Sequence, residues 1–255
     1  MNQFLKIFSL FFLTLTTGLH AETITVRTDL WCPYACDPKS DKPGFMVEIA
    51  REIFQKNGIE IQYDVMNWPR AIADVKSGKY NALIGTSKVD APTFIYPSNP
   101  FGQLITNYFT MGSDSWNYTN VDSLKGKKIG VINNYTYGQV IDQQLKSKNP
   151  AFKIISGENP LNRLIQMTEN KRIDGFVENP LVLSFTLKLL KKNPELFRIA
   201  SPNLASDPDL FIAFSPVNKM SHSYADMMDA GISELRKNGR LKEILAKYGL
   251  SDWKK

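Results

Sequence analysis

The sequence predicts an α/β protein of two similar units, each a mainly parallel sheet flanked by helices. Three observations carry this reading. The stretch from Gly44 to Gly85 runs helix, strand, helix, strand with turn residues at each boundary, the alternation expected of a parallel sheet. A second unit of the same kind follows between Val121 and Phe214. The chain has 255 residues, of which 22% are charged and 43% hydrophobic. That is an ordinary globular composition on a chain long enough for one large or two small domains.

The elements follow in order. Lys6 precedes the apolar run Ile7 to Leu15, which is too short to span a bilayer, and small Ala21 closes the segment. Residues 1–21 therefore read as a secretory signal peptide, which places the mature protein in a periplasm. Thr23 to Arg27 alternates as a strand. A loop from Trp31 to Pro43 follows and holds both cysteines, Cys32 and Cys36. In an oxidising compartment these are expected to form a disulfide, and their C-x3-C spacing is not that of a C-x-x-C redox pair. Met46, Ile49, Ala50, Ile53 and Phe54 recur at helical spacing, and Gly58 stops that helix.

Ile59 to Val65 is an alternating strand. Asn67 as N-cap, Pro69 in the first turn and Gly78 at the end bound a second helix. Tyr80 to Ile84 is a short buried strand, and Leu104 to Met111 another. In the second unit, strands are expected over Ile129 to Ile132, Phe152 to Ile155, Ile173 to Val177, Phe197 to Ala200 and Leu210 to Phe214. Helices fall at Thr136 to Lys146, after Asn159-Pro160 and after Asn179-Pro180. Two helices close the chain, one capped by Ser221 and ended by Gly239, the other over Leu241 to Tyr248.

Beyond the signal segment His222 is the only histidine, which removes histidine-cluster metal sites and histidine-activated nucleophiles from consideration. The sequence holds no G-x-S-x-G, no phosphate-binding loop and no dinucleotide fingerprint. No catalytic residue, metal or cofactor is therefore assigned. The formal net charge is +6, but the lysines are scattered (Lys125, Lys127, Lys128; Lys188, Lys191, Lys192), which together with export argues against a nucleic-acid partner.

The helix start Gly44-Phe45-Met46-Val47-Glu48-Ile49-Ala50 and the turn Ser77-Gly78-Lys79-Tyr80-Asn81, in this order, resemble the first lobe of the bacterial extracellular solute-binding proteins of the polar amino-acid type, family 3. The resemblance extends over essentially the whole mature chain. It implies a type II periplasmic-binding-protein fold with lobe 1 at residues 22–110 and 206–255 and lobe 2 at 111–205, the crossings near Tyr108–Gly112 and Ser201–Asp209. It further implies capture of a small polar solute by lobe closure and delivery, as a monomer, to the permease of an ABC importer. Alternatives on the same fold are a cyclohexadienyl-dehydratase-like lyase and a ligand-sensing adaptor for a membrane receptor.

The site residues carried over are Trp31 and Tyr34 as aromatic contacts, Trp68 and Arg70 at a helix start, and Thr86, Ser87 and Lys88 after a strand. From lobe 2 come Tyr135 and Thr136 at a helix N-terminus and Glu178, with Asn179 the other residue that can take its place. The chain departs from the family where Pro92 stands in the position of the arginine that holds a ligand carboxylate. Either Arg70 or Lys88 replaces that arginine, or the ligand is not an amino acid.

Overall fold

The computed structural model describes residues 22–157, 159–205 and 208–254, so the expected signal peptide lies outside the described residues. Strand β1 (Glu22–Thr28) leads through the cysteine loop to helix α1 (Phe45–Lys56), strand β2 (Ile59–Val65), helix α2 (Trp68–Lys76) and strand β3 (Ala82–Thr86). Strands β4 (Gly102–Gln103) and β5 (Asn107–Met111) follow. The second unit adds β6 (Ile129–Ile132), α3 (Gln139–Lys146), β7 (Phe152–Ile155), α4 (Pro160–Glu169), β8 (Gly175–Glu178), α5 (Pro180–Leu189) and β9 (Phe197–Ile199). Strand β10 (Asp209–Phe214) and helices α6 (Ser221–Lys237) and α7 (Arg240–Ala246) complete the described chain.

Among the described residues the strands form two five-stranded sheets of the same design, ordered β2-β1-β3-β10-β4 and β7-β6-β8-β5-β9. In each, one strand runs against the other four: β10 is antiparallel to both β3 and β4, and β5 to both β8 and β9. These are the two strands that arrive from the other sheet. The remaining pairings, β1 with β2 and β3 and β6 with β7 and β8, are parallel.

The expected helix face on α1 is buried whole, with Met46, Ile49, Ala50, Ile53 and Phe54 all at 3% exposure or less. Gly44 opens that helix at φ +110°, and a Cβ there would lie 2.4 Å from the Tyr34 carbonyl oxygen. Glycine lets the cysteine loop lie directly on the helix start. The Pro33 and Tyr34 carbonyls then accept the first free helix N–H groups, from Phe45 and Met46.

Four local expectations shift. The strand foreseen over Leu104 to Met111 divides, because the Leu104 N–H bonds the Pro208 carbonyl and the Thr106 N–H bonds the Asn203 side chain, which ties this stretch to the returning strand. β5 pairs within the second sheet, so the chain passes over between β4 and β5, a few residues before the boundary expected after residue 110. It returns between β9 and β10. Helix α3 starts at Gln139 rather than Thr136, since its N-cap Gly138 sits at φ +100°, outside helical backbone. Asn67 and Met220 hold the N-cap positions of α2 and α6 without a side-chain bond; Ser221 instead turns its hydroxyl to the Ser215 carbonyl.

Candidate functional site

A small cavity of about 50 Å³ lies between the two sheets, with Asp29, Trp31, Trp68, Asp90, Tyr135 and Thr136 in its wall. Its residues come from the ends of strands. Asp29 and Trp31 follow β1, Asp90 follows β3 and Tyr135 follows β6. That is where open α/β sheets place ligands, because the loops of adjacent strands diverge there.

The first wall is the cysteine loop. Trp31 and Ala35 exchange backbone hydrogen bonds at 2.8 and 3.0 Å, and the Cys32–Cys36 disulfide closes the same turn. The Tyr63 hydroxyl holds the Cys36 carbonyl at 2.6 Å. The turn stacks Trp31 on Tyr34, with ring centroids 4.2 Å apart and planes 20° from parallel. Gly85, at φ +80° on β3, lies beneath the indole, and its left-handed backbone is what favours glycine there. Trp31 is half-buried and faces the cavity, whereas Tyr34 is 1% exposed and lies behind it.

Tyr34 ties the two sheets together. Its hydroxyl donates to the Gln103 carbonyl at 2.7 Å and accepts from the Asn179 side-chain amide at 3.0 Å. Asn179 also caps α5, its Oδ1 accepting from the Leu181 and Val182 N–H groups. The bland capping role and the role at the lobe interface thus coincide in one side chain. A second tie runs from the Tyr135 hydroxyl to the Asp29 carboxylate. Tyr135 also packs against all three hydrophobic clusters of the described chain, which makes it the junction of the two units.

The electrostatics are one-sided. Burial pushes the Asp29 carboxyl from its ordinary 3.8 up to about 6, with the Tyr135 hydrogen bond pulling the other way. Burial likewise raises Glu178 from 4.5 to about 7; hydrogen bonds from the Asn179 N–H, at 2.7 Å, and the Trp31 indole oppose this, and the Asp29 charge adds to it. Burial raises Asp142, in the first turn of α3, with the Asp90 charge contributing. Asp90 is fixed by Ser87, whose N–H and hydroxyl donate to its Oδ2 at 3.0 and 2.9 Å. Among the described residues, no lysine, arginine or histidine lines the cavity.

The residues singled out in the sequence divide accordingly. Trp31, Trp68, Tyr135 and Thr136 line the cavity. Tyr34, Ser87 and Glu178 stand behind it and hold lining groups, and Thr86 is wholly buried in β3. Thr136 reaches the wall from a loop, not from a helix N-terminus, because α3 begins three residues later. Arg70 and Lys88 are not in the wall. The Arg70 side chain is 68% exposed and lies 3.7 Å from Asp74, and Lys88 is exposed with its ammonium over the Phe211 ring. Sequence reasoning missed Asp29 and Asp90, both in polar loops. The signal that could have found them is their place directly after two adjacent parallel strands.

A larger open groove of about 680 Å³ lies elsewhere on the second unit and is lined by Lys125, Lys127, Lys128 and Lys153 among others.

Comparison with known proteins agrees with this architecture. The probable amino-acid-binding protein YxeM of Bacillus subtilis (strain 168) is 23% identical over 223 residues, 85% of this chain and 79% of that protein. The putative ABC transporter arginine-binding protein 2 of Escherichia coli (strain K12) is 24% identical over 240 residues, 89% of this chain and 91% of the other. Among solved structures, an ancestral arginine-binding protein bound to arginine superposes with a TM-score of 0.71 at 20% identity, over 89% of this chain and 97% of its own. A putative L-cystine ABC transporter from Listeria monocytogenes gives 0.73 at 18%, over 91% and 98%. The family model matches residues 24–251, nearly the whole described chain, and so the protein belongs to the bacterial extracellular solute-binding proteins, family 3.

Proposed function

We propose that this protein captures a small polar solute, an amino acid or a related compound, in the periplasm and presents it as a monomer to the permease of an ABC importer. The observation that carries the reading is that side chains from both sheets meet around one cavity, Tyr34 with Asn179 and Tyr135 with Asp29. Such bonds form only when the two units are together, so a solute held between them favours the closed state by its differential contacts. The chain passes between the lobes in the β4–β5 interval, ahead of the expected boundary at residue 110, and returns in the β9–β10 interval. Names of relatives such as the probable amino-acid-binding protein YxeM support the solute class.

Trp31, Trp68, Tyr135 and Thr136 contact the solute, with Asp29 and Asp90 added to them. Tyr34, Ser87 and Glu178 position these groups. Arg70 and Lys88 take no direct part.

Thermal unfolding of the purified protein against amino acids, amines, small carboxylates and sugars tests the reading. A true ligand at a hundredfold excess over its dissociation constant stabilises the fold by about 2.7 kcal/mol. A panel without any stabilising solute contradicts capture.

A further inference from the structure

We infer that the solute is a small organic cation, an amine or guanidine without a carboxylate group, held beside the Asp29 and Asp90 carboxylates in the cavity wall. The inference rests on the capture reading above and names the substrate class of the same cavity. Two acidic groups line the gap, Asp29 and Asp90, both from loops of the first sheet. Two more stand behind it on the second unit: Glu178, at the end of β8 and hydrogen-bonded to Trp31 of the wall, and Asp142, on α3. The charge of Asp29 reaches Glu178, and that of Asp90 reaches Asp142.

The groups facing this set are otherwise hydroxyls and rings. Tyr135 bonds Asp29, Tyr34 and Tyr137 lie in the field of Glu178, and the Trp31 indole bonds Glu178. Lys146 reaches only Asp142, from the same helix. Like charges brought together on closure repel, and a cation placed between them removes the repulsion. The cavity wall adds Trp31, Trp68 and Tyr135, whose ring faces favour an organic cation. A carboxylate entering the same space meets Asp29 and Asp90 and no cationic side chain in the wall.

A metal ion does not fit the arrangement. Among the described residues no three His, Cys, Asp or Glu side chains stand close enough to hold one. Asp29 and Asp90 share their wall with Trp31, Trp68 and Tyr135, which suits a cation with its own carbon skeleton.

The test is calorimetric titration of the purified protein with solute pairs that share a cationic end and differ by one carboxylate: agmatine and arginine, putrescine and ornithine, cadaverine and lysine, choline and glycine betaine. At least one carboxylate-free member is expected to bind 30-fold or more tighter than its partner. Asp29→Asn and Asp90→Asn are each expected to weaken that binding tenfold or more, with melting curves establishing that both variants fold. Equal or tighter binding of the carboxylate-bearing partner overturns the cation inference and leaves the capture reading standing. The same holds if a neutral or acidic amino acid, glutamine or glutamate, is the tightest ligand. Silence from every solute overturns the inference together with the capture reading. Unchanged amine binding in both variants overturns the role of the carboxylates.

Discussion

The crevice between the sheets and the groove beside Lys125, Lys127, Lys128 and Lys153 carry opposite charge on a chain whose formal net charge is +6. The groove is wide and open, and its charges are met locally. Lys125 lies 2.9 Å from Asp122 with both side chains more than three-quarters exposed, and the Lys153 ammonium bonds the nearby Pro150 carbonyl. Water screens such groups and they contribute little. In the crevice, Asp29 and Glu178 have lost their water, and their ionisation is costly enough to move their titration by about two pH units or more. Total charge therefore says little about the site. Burial decides which charges act, and here a basic surface surrounds an acidic cleft.

The sharpest break of this comparison is to neutralise the buried acids. Both are raised above their unfolded values, so they favour the folded state fully below about pH 4. That contribution is lost as the pH rises through about 6 for Asp29 and about 7 for Glu178. Asp29→Asn and Glu178→Gln should each stabilise the unliganded protein at pH 8 by about 1–3 kcal/mol and change little at pH 4. Urea unfolding at the two pH values measures this, and equal effects at both contradict it.

Next in size is the turn that carries Trp31. Cys32→Ser with Cys36→Ser opens a very short loop, for which chain entropy sets a cost of about 2 kcal/mol. The expected drop in stability should come with reduced ligand affinity, because Trp31 is stacked by that turn. Tyr34→Phe leaves the Asn179 amide and the Gln103 carbonyl without their shared partner. It should lower stability by about 1–2 kcal/mol, read by thermal melting, and a neutral result would detach Tyr34 from the closed state. The smallest effects belong to the other side of the comparison. Lys127→Ala, Lys128→Ala and Arg70→Ala should each stay within about 0.5 kcal/mol in stability and within twofold in ligand affinity.

Much of the fold was legible because its signals are local. The apolar spacing of Met46 to Phe54 fixes the buried face of α1, and Gly58 and Gly78 mark real chain reversals at φ +73° and +82°. The disulfide followed from export and proximity. What the sequence could not show depends on contacts distant along the chain. Thr136 looks like a helix cap, but the loop before α3 is folded by the Tyr137 hydroxyl on the Ile132 N–H and by Gly138, which delays the helix. Arg70 looks like a carboxylate clamp at a helix start, but its side chain points along α2 to Asp74. Asp29 looks like an ordinary loop residue until Tyr135, 106 positions away, is placed against it.

The central claim is that carboxylates in and behind the cavity wall recognise a cation, and the pH dependence of binding tests it most directly. The tightest-binding amine should be titrated calorimetrically into the purified protein at pH 5 and at pH 8. The amine is protonated at both values, while Asp29 and Glu178 pass from largely neutral to largely charged as the pH crosses about 6 and 7. Affinity at least tenfold tighter at pH 8 is the predicted result, and affinity that is equal, or tighter at pH 5, would contradict the account.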